Sequence, residues 1–115
     1  MSVSYLQQRL ELHREHARAT FVLDEELGTW HGIAWADFVL LEVLGEMDDR
    51  APTSAVADAM GVRAARLVLQ VMPLEKLGLV RRTMREDGVR CIETLPGGRR
   101  LRGEARETAA HACAA

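Results

Sequence analysis

The side chains best suited to specific chemistry lie between residues 63 and 70. Arg63, Arg66 and Gln70 are spaced three and four residues apart, so on a helix they share one polar stripe. A guanidinium group can donate two hydrogen bonds to guanine N7 and O6, and a glutamine amide can pair with adenine. The stripe therefore predicts hydrogen bonding to the edges of DNA bases.

The residues around this stripe have the pattern of a helix followed by a basic hairpin. Apolar residues at three- and four-residue spacing predict one buried stripe, which contains Leu67, Val71, Leu74 and Leu77. Lys76 lies in the predicted last turn, where the helix dipole favours a cation, and Gly78 supplies the left-handed residue that ends the helix. Residues 79–84 and 89–95 predict two strands that are joined by a turn at Asp87-Gly88.

Upstream of this unit, the pattern predicts three further helices. Residues 3–27 predict a long amphipathic helix closed by Gly28, with one apolar stripe that contains Leu6, Leu10, His13, Ala17, Phe21 and Leu27. A small core cannot cover so long a helix, so part of it is expected to contact a second subunit. Residues 34–47 are apolar on nearly every side, which predicts a central core helix. Thr53 is predicted to cap a short helix that ends at the turn residue Gly61. Between them, residues 48–52 predict a polar turn in which a short strand can pair with the hairpin.

The charge is unevenly distributed along this chain of 115 residues, whose net charge is only −2. Residues 1–60 contain four arginines and eleven acidic residues, a net charge of −7, whereas residues 61–115 contain eleven basic and six acidic residues, a net charge of +5. A positive field at the predicted helix and hairpin suits a phosphate backbone. The length supports one domain with a core too small for an elaborate enzyme cleft.

Three segments carry a family resemblance: residues 53–62, 74–82 and 98–101, with Asp87 and Arg90 between the last two. In this order and spacing they resemble the winged-helix core of the multiple-antibiotic-resistance regulator (MarR) family of bacterial transcription factors. Residues 32–44 resemble the helix that precedes that core. The resemblance implies a mainly α fold with a small β-hairpin wing (α+β), a winged helix-turn-helix with N- and C-terminal dimerisation helices.

The resemblance also implies how the chain is divided and what it binds. Residues 1–115 would form a single winged-helix domain: residues 1–28 the N-terminal dimerisation helix, 33–96 the core, and 97–112 a C-terminal helix that is short for the family. The expected function is that of a cytoplasmic, dimeric repressor that binds double-stranded DNA. The expected DNA contacts are Thr53, Arg63, Ala65, Arg66, Gln70, Arg81, Arg82, Arg85, Arg90 and Arg99.

Members of this family often bind aromatic or anionic effectors between the dimer helices and the DNA-binding lobe. The residues expected in the corresponding region are Arg18, Phe21, Trp30, His31 and Trp35. The alternative is that both tryptophans only pack in the core or in an interface. For this reason no particular effector is named.

Several residues depart from the family pattern. Val68 and Leu69 occupy positions where polar, DNA-facing residues are usual, and Gln70 occupies a position that is usually apolar and partly inward. Pro73 lies inside the predicted helix, and residues 95–98 predict a turn. These departures leave three alternatives open: apolar contacts with thymine methyl groups, a protein-binding winged-helix module that has lost base-specific binding, or a thiol or metal sensor on the same scaffold.

The sequence contains few patterns typical of other classes of function. Cys91 and Cys113 match no zinc pattern and predict two reduced thiols, and His13 with His16 lacks a third ligand nearby. No catalytic triad spacing or glycine-rich phosphate loop is recognisable, so neither an enzyme nor a cofactor or metal site is expected. No apolar run predicts a signal peptide or a membrane span.

Overall fold

The computed structural model describes residues 3–114, which form five helices and three short strands. The helices are α1 (Val3–His31), α2 (Trp35–Glu46), α3 (Thr53–Met60), α4 (Ala64–Lys76) and α5 (Pro96–Ala114). The strands are β1 (Arg50–Pro52), β2 (Val80–Met84) and β3 (Arg90–Thr94). This is the predicted mainly α architecture with a small β wing.

The three strands form one antiparallel sheet in the order β1-β3-β2. In the β2–β3 hairpin, Thr83 pairs with Cys91 and Met84 with Arg90, and the Arg85 amide donates a 2.9 Å hydrogen bond to the Val89 carbonyl across the turn. β1 joins the other edge of β3, where Ala51 pairs with Ile92. The predicted hairpin and the pairing of a short strand with it are therefore confirmed.

Two apolar clusters hold the helices together. The larger cluster joins α2, α3, α4 and the sheet, and its fully buried side chains include Leu40, Leu41, Leu44, Val56, Leu67, Val71, Val80 and Ile92. The smaller cluster joins α1, α2 and α5 through Leu23, Leu27, Ile33, Phe38, Ala105 and Ala109. Helix α2 contributes to both, because it carries apolar side chains on nearly every side. The predicted central position of this helix is confirmed.

The first helix continues three residues beyond its predicted end. Gly28 does not terminate α1; its carbonyl accepts a 3.1 Å hydrogen bond from the Gly32 amide, and the helix ends at His31. A glycine inside a helix costs only about 1 kcal/mol, and the packing of Leu27 and the 2.7 Å hydrogen bond between His31 Nε2 and Thr108 Oγ1 tie this turn to α5. Leu27 is therefore in the core and does not share the exposed stripe of Leu6.

Two local predictions around α3 and α4 change in the structure. Thr53 is the first residue of α3 and makes no capping hydrogen bond; the preceding Pro52 occupies the cap position. Leu77 follows the last residue of α4 and is 62% exposed, so it is not part of the buried stripe. Lys76 does lie in the last turn of α4, and Gly78 has the expected left-handed backbone with φ 75°.

Residues 95–98 do not form the predicted turn, because α5 already begins at Pro96. Proline is favoured in the first turn of a helix, where its missing N–H has no intrahelical partner to lose. Gly98 lies so close to the end of the α4–β2 connection that an added Cβ atom would be 2.1 Å from the Leu79 carbonyl oxygen. This close packing places the start of α5 against the sheet and gives a helix of 19 residues.

Arg102 attaches α5 to the rest of the fold. Its guanidinium group donates a 3.0 Å hydrogen bond to the Leu41 carbonyl in α2 and binds both carboxylate oxygens of Asp49. This ion pair, mostly shielded from solvent, holds the pKa of Asp49 below its ordinary value. Gly45 leaves room for the guanidinium group, because a Cβ atom there would lie 2.8 Å from Arg102 Nη1.

Candidate nucleic-acid interface

The helix-turn-helix consists of α3, the turn at Gly61 and α4. Gly61 has φ 68°, a conformation that glycine adopts without steric cost, and the Val62 amide donates a 3.0 Å hydrogen bond to the Ala57 carbonyl. After this turn, Leu67, Val71 and Leu74 pack α4 into the larger core cluster. The opposite side of α4 is left in solvent, as a helix that enters a DNA groove requires.

The side of α4 that points away from the core can be located from its buried residues. Successive residues of a helix are rotated by about 100°, so the direction opposite to Leu67, Val71 and Leu74 falls on a line of four residues. This line, which we term the outer ridge, consists of Ala65, Leu69, Met72 and Lys76. Leu69 is 69% exposed and Met72 is 40% exposed. The outer ridge is therefore apolar except at its C-terminal end.

Arg66 lies on the flank of α4, beside the outer ridge, and Arg63 lies before the start of the helix. Both are exposed, and Arg63 is the residue that immediately precedes the first turn. Within residues 3–114, neither forms an ion pair with a carboxylate. Their guanidinium groups are thus available to an external acceptor.

Gln70 differs from the two arginines with which it was predicted to share a stripe. Its amide nitrogen donates hydrogen bonds to the Ala36 carbonyl at 3.0 Å and to the Asp37 carboxylate at 3.3 Å, both in α2. The expected contact between Gln70 and a base is therefore not supported, because the amide already binds the neighbouring helix. The family resemblance implied that position 70 points inward. In this chain Gln70 does point inward, and it makes a polar contact between α4 and α2.

Three arginines of the hairpin form ion pairs with carboxylates of the same chain. Arg81 pairs with Glu93 at 2.9 Å across the two strands, and Arg85 pairs with Asp87 at 2.9 Å at the tip. The Arg85 guanidinium group holds the pKa of Asp87 below its ordinary value. These side chains are positioned on the hairpin, and each ion pair is open to solvent on at least one side.

Arg82 links the hairpin to α4. Its backbone amide and its guanidinium group both donate to Glu75, which lowers the pKa of that carboxyl group. This contact uses the one carboxylate of α4, and it joins the recognition helix to β2. Arg90, directly across the sheet from Met84, is exposed and forms no ion pair within residues 3–114.

Two of the remaining predicted contacts lie at the borders of this surface. Thr53, at the start of α3, lines a cleft of about 390 Å³ between α4 and the hairpin, together with Val68, Arg82 and Arg90. Arg99, in the first turn of α5, donates a 3.4 Å hydrogen bond to the Thr94 carbonyl. The structure thus places Thr53, Val68, Arg82 and Arg90 around one cleft, with Arg99 at the start of α5.

The residues expected around an effector do not line one pocket of the single chain. Trp30 is 70% exposed and lines a shallow depression with Glu26, Glu107 and His111. Trp35 instead packs on Phe38, with ring centroids 5.5 Å apart. Arg18 and Phe21 are exposed further towards the N-terminus of α1, and His31 is bound to Thr108 on α5. The family resemblance placed these residues in one region, but in the single chain they are spread along α1 and the start of α2.

Two features of the site were missed, one of them in part, by reasoning from the sequence. The outer ridge was identified only in part, because Leu69 was placed at a DNA-facing position together with Val68, which lies on the flank of α4, and Ala65 was not recognised as part of the same apolar line. A helical projection centred on Leu67, Val71 and Leu74 would have found it. The contact of Arg102 with Asp49 joins residues that are distant in the sequence, and no local pattern indicates it.

The two cysteines lie in different environments. Cys91 is buried in β3, where its Sγ atom lies 3.8 Å from the Val89 carbonyl oxygen, and Cys113 is exposed near the end of α5. Across residues 3–114, no three histidine, cysteine or acidic residues are grouped so that they could hold a metal ion. Over the same range, no helix has the length and apolar character needed to cross a membrane.

Comparison with known proteins identifies the fold. No protein-family profile matches the chain, and no curated protein does so. Among solved structures, a MarR-family transcriptional regulator from Rhodococcus sp. RHA1 superposes with a TM-score of 0.83 at 26% identity, over 97% of this chain and 79% of that one. The transcriptional regulator BldR from Sulfolobus solfataricus superposes with a TM-score of 0.82 at 23% identity, over 94% and 79%.

A third similar structure was solved with a ligand. CouR from Rhodococcus jostii RHA1, bound to p-coumaroyl-CoA, superposes with a TM-score of 0.78 at 26% identity, over 88% of this chain and 71% of that one. These likenesses extend over α1, the helix-turn-helix, the hairpin and α5. The likenesses show a winged-helix fold similar to that of MarR-family regulators and, together with the helix-turn-helix and the basic hairpin, they identify the chain as a DNA-binding regulator of the MarR type.

Proposed function

We propose that the chain acts as a homodimer that binds a roughly palindromic DNA site in the cytoplasm and represses transcription. Each α4 would enter a major groove, and the β2–β3 hairpin would lie along the adjacent backbone and minor groove. Two-fold symmetry requires half-sites about one helical turn apart. Arg63, just before α4, and Arg66, on its flank, are proposed to contact bases or phosphates, and Arg81, Arg82, Arg85, Arg90 and Arg99 to contact phosphates.

The observation that carries this proposal is the exposed basic side of α4. Arg63, Arg66 and Lys76 project from this helix into solvent, and its one acidic residue, Glu75, is engaged by Arg82. The surface that would meet DNA is therefore positive, although the whole chain carries a net charge of −2. Local positive charge of this kind supplies most of the affinity for a phosphate backbone.

The exposed apolar residues of α1 support dimer formation. At 1.5 Å per residue, this helix of 29 residues is about 43 Å long, and its buried residues are Leu23 and Leu27, near its C-terminal end. Leu6 is 54% exposed, Leu10 42% and Phe21 67%, and the spacing of these three places them on one side of the helix. Exposure of such a row of apolar side chains to water is unfavourable. A second copy of α1 packed against the row would remove this exposure.

A small-molecule effector is proposed for the region around Trp30. This side chain is exposed in the single chain, and it stands beside His111 and two glutamates where α1 meets α5. CouR was solved with p-coumaroyl-CoA, which shows that a protein of this fold can hold an aromatic, anionic compound. An aromatic effector is thus the first class to test, by quenching of tryptophan fluorescence and by release of bound DNA.

The DNA-binding proposal is tested by selecting bound duplexes from a random library. The selected duplex is then measured by fluorescence anisotropy across a salt series. We expect a palindrome to be enriched, and the logarithm of affinity to fall with the logarithm of salt concentration by about 0.9 for each phosphate contacted. Arg63→Ala with Arg66→Ala should abolish the sequence preference at the positions that these two arginines contact.

The matched control for this pair is Arg100→Ala with Arg106→Ala. It removes two exposed cations of α5 and should leave sequence preference intact. If the unaltered protein shows only weak binding to every duplex, with no sequence enriched, the proposed function is wrong.

A further inference from the structure

We propose that Leu69 and Met72 of the outer ridge recognise the C5-methyl groups of thymine in the major groove. This inference rests on the proposed function, since it concerns which bases the recognition helix favours. It assigns that preference to the apolar side chains of α4, in addition to its arginines. The operator should accordingly contain thymine at fixed positions within each half-site.

The position of the outer ridge is the first argument. A helix that docks in the major groove brings its most outward residues deepest into the groove, and on α4 these are Ala65, Leu69 and Met72. Ala65 is small and lets the helix approach the base edges closely. Leu69, 69% exposed, projects from the middle of the ridge, and Met72, 40% exposed, follows one turn later.

The chemistry of the base edges is the second argument. In the major groove, guanine, adenine and cytosine present hydrogen-bond donors and acceptors, whereas thymine adds a methyl group. Leucine and methionine side chains cannot satisfy donors or acceptors that they shield from water, and leaving such groups unpaired is costly. Against thymine, the same side chains gain apolar contact area. An apolar ridge therefore discriminates in favour of thymine.

The charges around the ridge identify DNA as the occupant of this apolar surface. Arg66 lies on one flank and Lys76 at the C-terminal end, both exposed. The one acidic residue of α4, Glu75, is bound by Arg82. Cations that border an apolar strip are complementary to the major groove of DNA. Phosphates line both edges of this groove, and the thymine methyl groups lie at its base. An apolar protein surface would have to bury these cations without partners.

The test replaces thymine with deoxyuridine in the selected operator. This change removes only the methyl group and keeps all base-pairing groups, so it isolates the proposed contact. From the typical gain for burying one methyl-sized group, we expect affinity to fall about fourfold for each methyl contacted. The loss should multiply across the two half-sites of a dimer.

Substitutions in α4 then assign the effect to particular side chains. Leu69→Ala should remove most of the difference in affinity between the thymine and deoxyuridine duplexes, because Leu69 is the more exposed of the two, and Met72→Ala should remove a smaller part. Leu77→Ala is the control, because Leu77 is similarly exposed at 62% but lies beyond the last turn and off the ridge. It should retain the full penalty for deoxyuridine. Circular dichroism checks that each variant is folded.

The outcomes separate this inference from the proposed function. A deoxyuridine penalty that Leu69→Ala largely removes and Leu77→Ala retains supports methyl recognition. A palindromic operator bound equally well with deoxyuridine overturns the inference and leaves the regulator intact. The inference is also overturned if no thymine is enriched in the half-sites, or if Leu69→Ala keeps the penalty. Failure to enrich any duplex overturns the proposed function itself.

Discussion

The arginines of the interface differ in whether a carboxylate already holds them. Arg63 and Arg66 have no such partner within residues 3–114, whereas Arg81, Arg82 and Arg85 are paired with acidic side chains. Exposed ion pairs contribute only about 0–1 kcal/mol to stability. A phosphate group can therefore displace the paired carboxylates at little cost in free energy. In the absence of DNA, the ion pairs restrict the positions of these arginine side chains.

This difference predicts two kinds of defect in DNA binding. Arg66→Ala should weaken operator binding by about 1–3 kcal/mol, roughly 5- to 150-fold, and relax the preference at one position of each half-site. Arg82→Ala should weaken binding to all sequences alike and reduce the salt slope by about 1 per site. Anisotropy with operator and scrambled duplexes measures both. Equal loss on both duplexes for Arg66→Ala would show that Arg66 contacts phosphate only.

Asp49 makes stability depend on pH. Its pKa is held below the ordinary aspartate value by the hydrogen bonds from Arg102. Such a group stabilises the folded state fully above the pKa of the unfolded chain, and that contribution is lost as the pH falls through the lower, folded-state value. Asp49→Asn should therefore cost about 2 kcal/mol at neutral pH, and the difference from the unaltered protein should shrink as the solution is acidified below the ordinary aspartate value.

Denaturant unfolding at several pH values measures this dependence. Asp58→Asn is the control, because Asp58 is exposed on α3 and forms no ion pair within residues 3–114. It should leave the unfolding free energy nearly unchanged at every pH. A constant penalty for Asp49→Asn down to strongly acidic solution would contradict a role for the ionised carboxylate.

At the scale of helices and strands, the sequence predicted the elements well and their ends less well. Periodicity identified the core side of α4 through Leu67, Val71 and Leu74, and turn chemistry located the hairpin at Gly88. These signals are local, so one sequence contains them. The contact of Gln70 with Asp37 was not predicted, because Asp37 lies in another helix. The orientation of Gln70 depends on how α2 and α4 pack, which no local pattern specifies.

Glycine gave the least reliable boundary signals, since it permits several structures. Gly28 was expected to end α1 but lies inside it, where nothing in the structure would contact an added Cβ atom. Gly98 was expected in a turn but lies in the first turns of α5, where close contact with Leu79 excludes a side chain. A glycine indicates either that a side chain would not fit or that the backbone needs an unusual conformation. Only the surrounding structure shows which of the two applies.

The neighbouring glycines at the start of α5 provide a matched test of that contact. Gly98→Ala should destabilise the fold by about 3 kcal/mol, because the new methyl group would overlap the Leu79 carbonyl. Gly97→Ala places a methyl group 3.4 Å from the Gly78 carbonyl, a tolerable distance, and alanine favours the helix. It should change stability by less than about 1 kcal/mol. Thermal unfolding compares them, and similar melting temperatures would refute the close-packing argument.

At the scale of the whole molecule, a single chain leaves much of its longest helix without a covering partner. The molecule measures 50 × 36 × 21 Å, an elongated shape for 115 residues. The core clusters reach α1 near its C-terminal end, through Leu23 and Leu27. The family resemblance anticipated a dimer from this helix, and the exposure of its apolar row is the physical reason to expect one.

Substitutions in the exposed apolar row of α1 should abolish dimer formation without unfolding the protein. Leu10→Glu with Phe21→Glu places two charges where apolar contact is proposed, so the protein should become monomeric and bind its operator far more weakly. Leu77→Glu introduces a charge at a comparably exposed apolar position outside α1 and should leave the dimer intact. Sedimentation velocity reports the mass. A dimer that persists in the double variant would contradict the proposed α1 interface.

The contrasting exposure of the two cysteines makes the folded protein easy to label at one place. A thiol reagent should modify the exposed Cys113 quickly and the buried Cys91 only when the hairpin opens. A homodimer treated in this way would carry one spin label at the end of each α5. Pulsed electron paramagnetic resonance would measure the distance between the two labels. A change in this distance would report movement of the α5 ends when DNA or an effector binds.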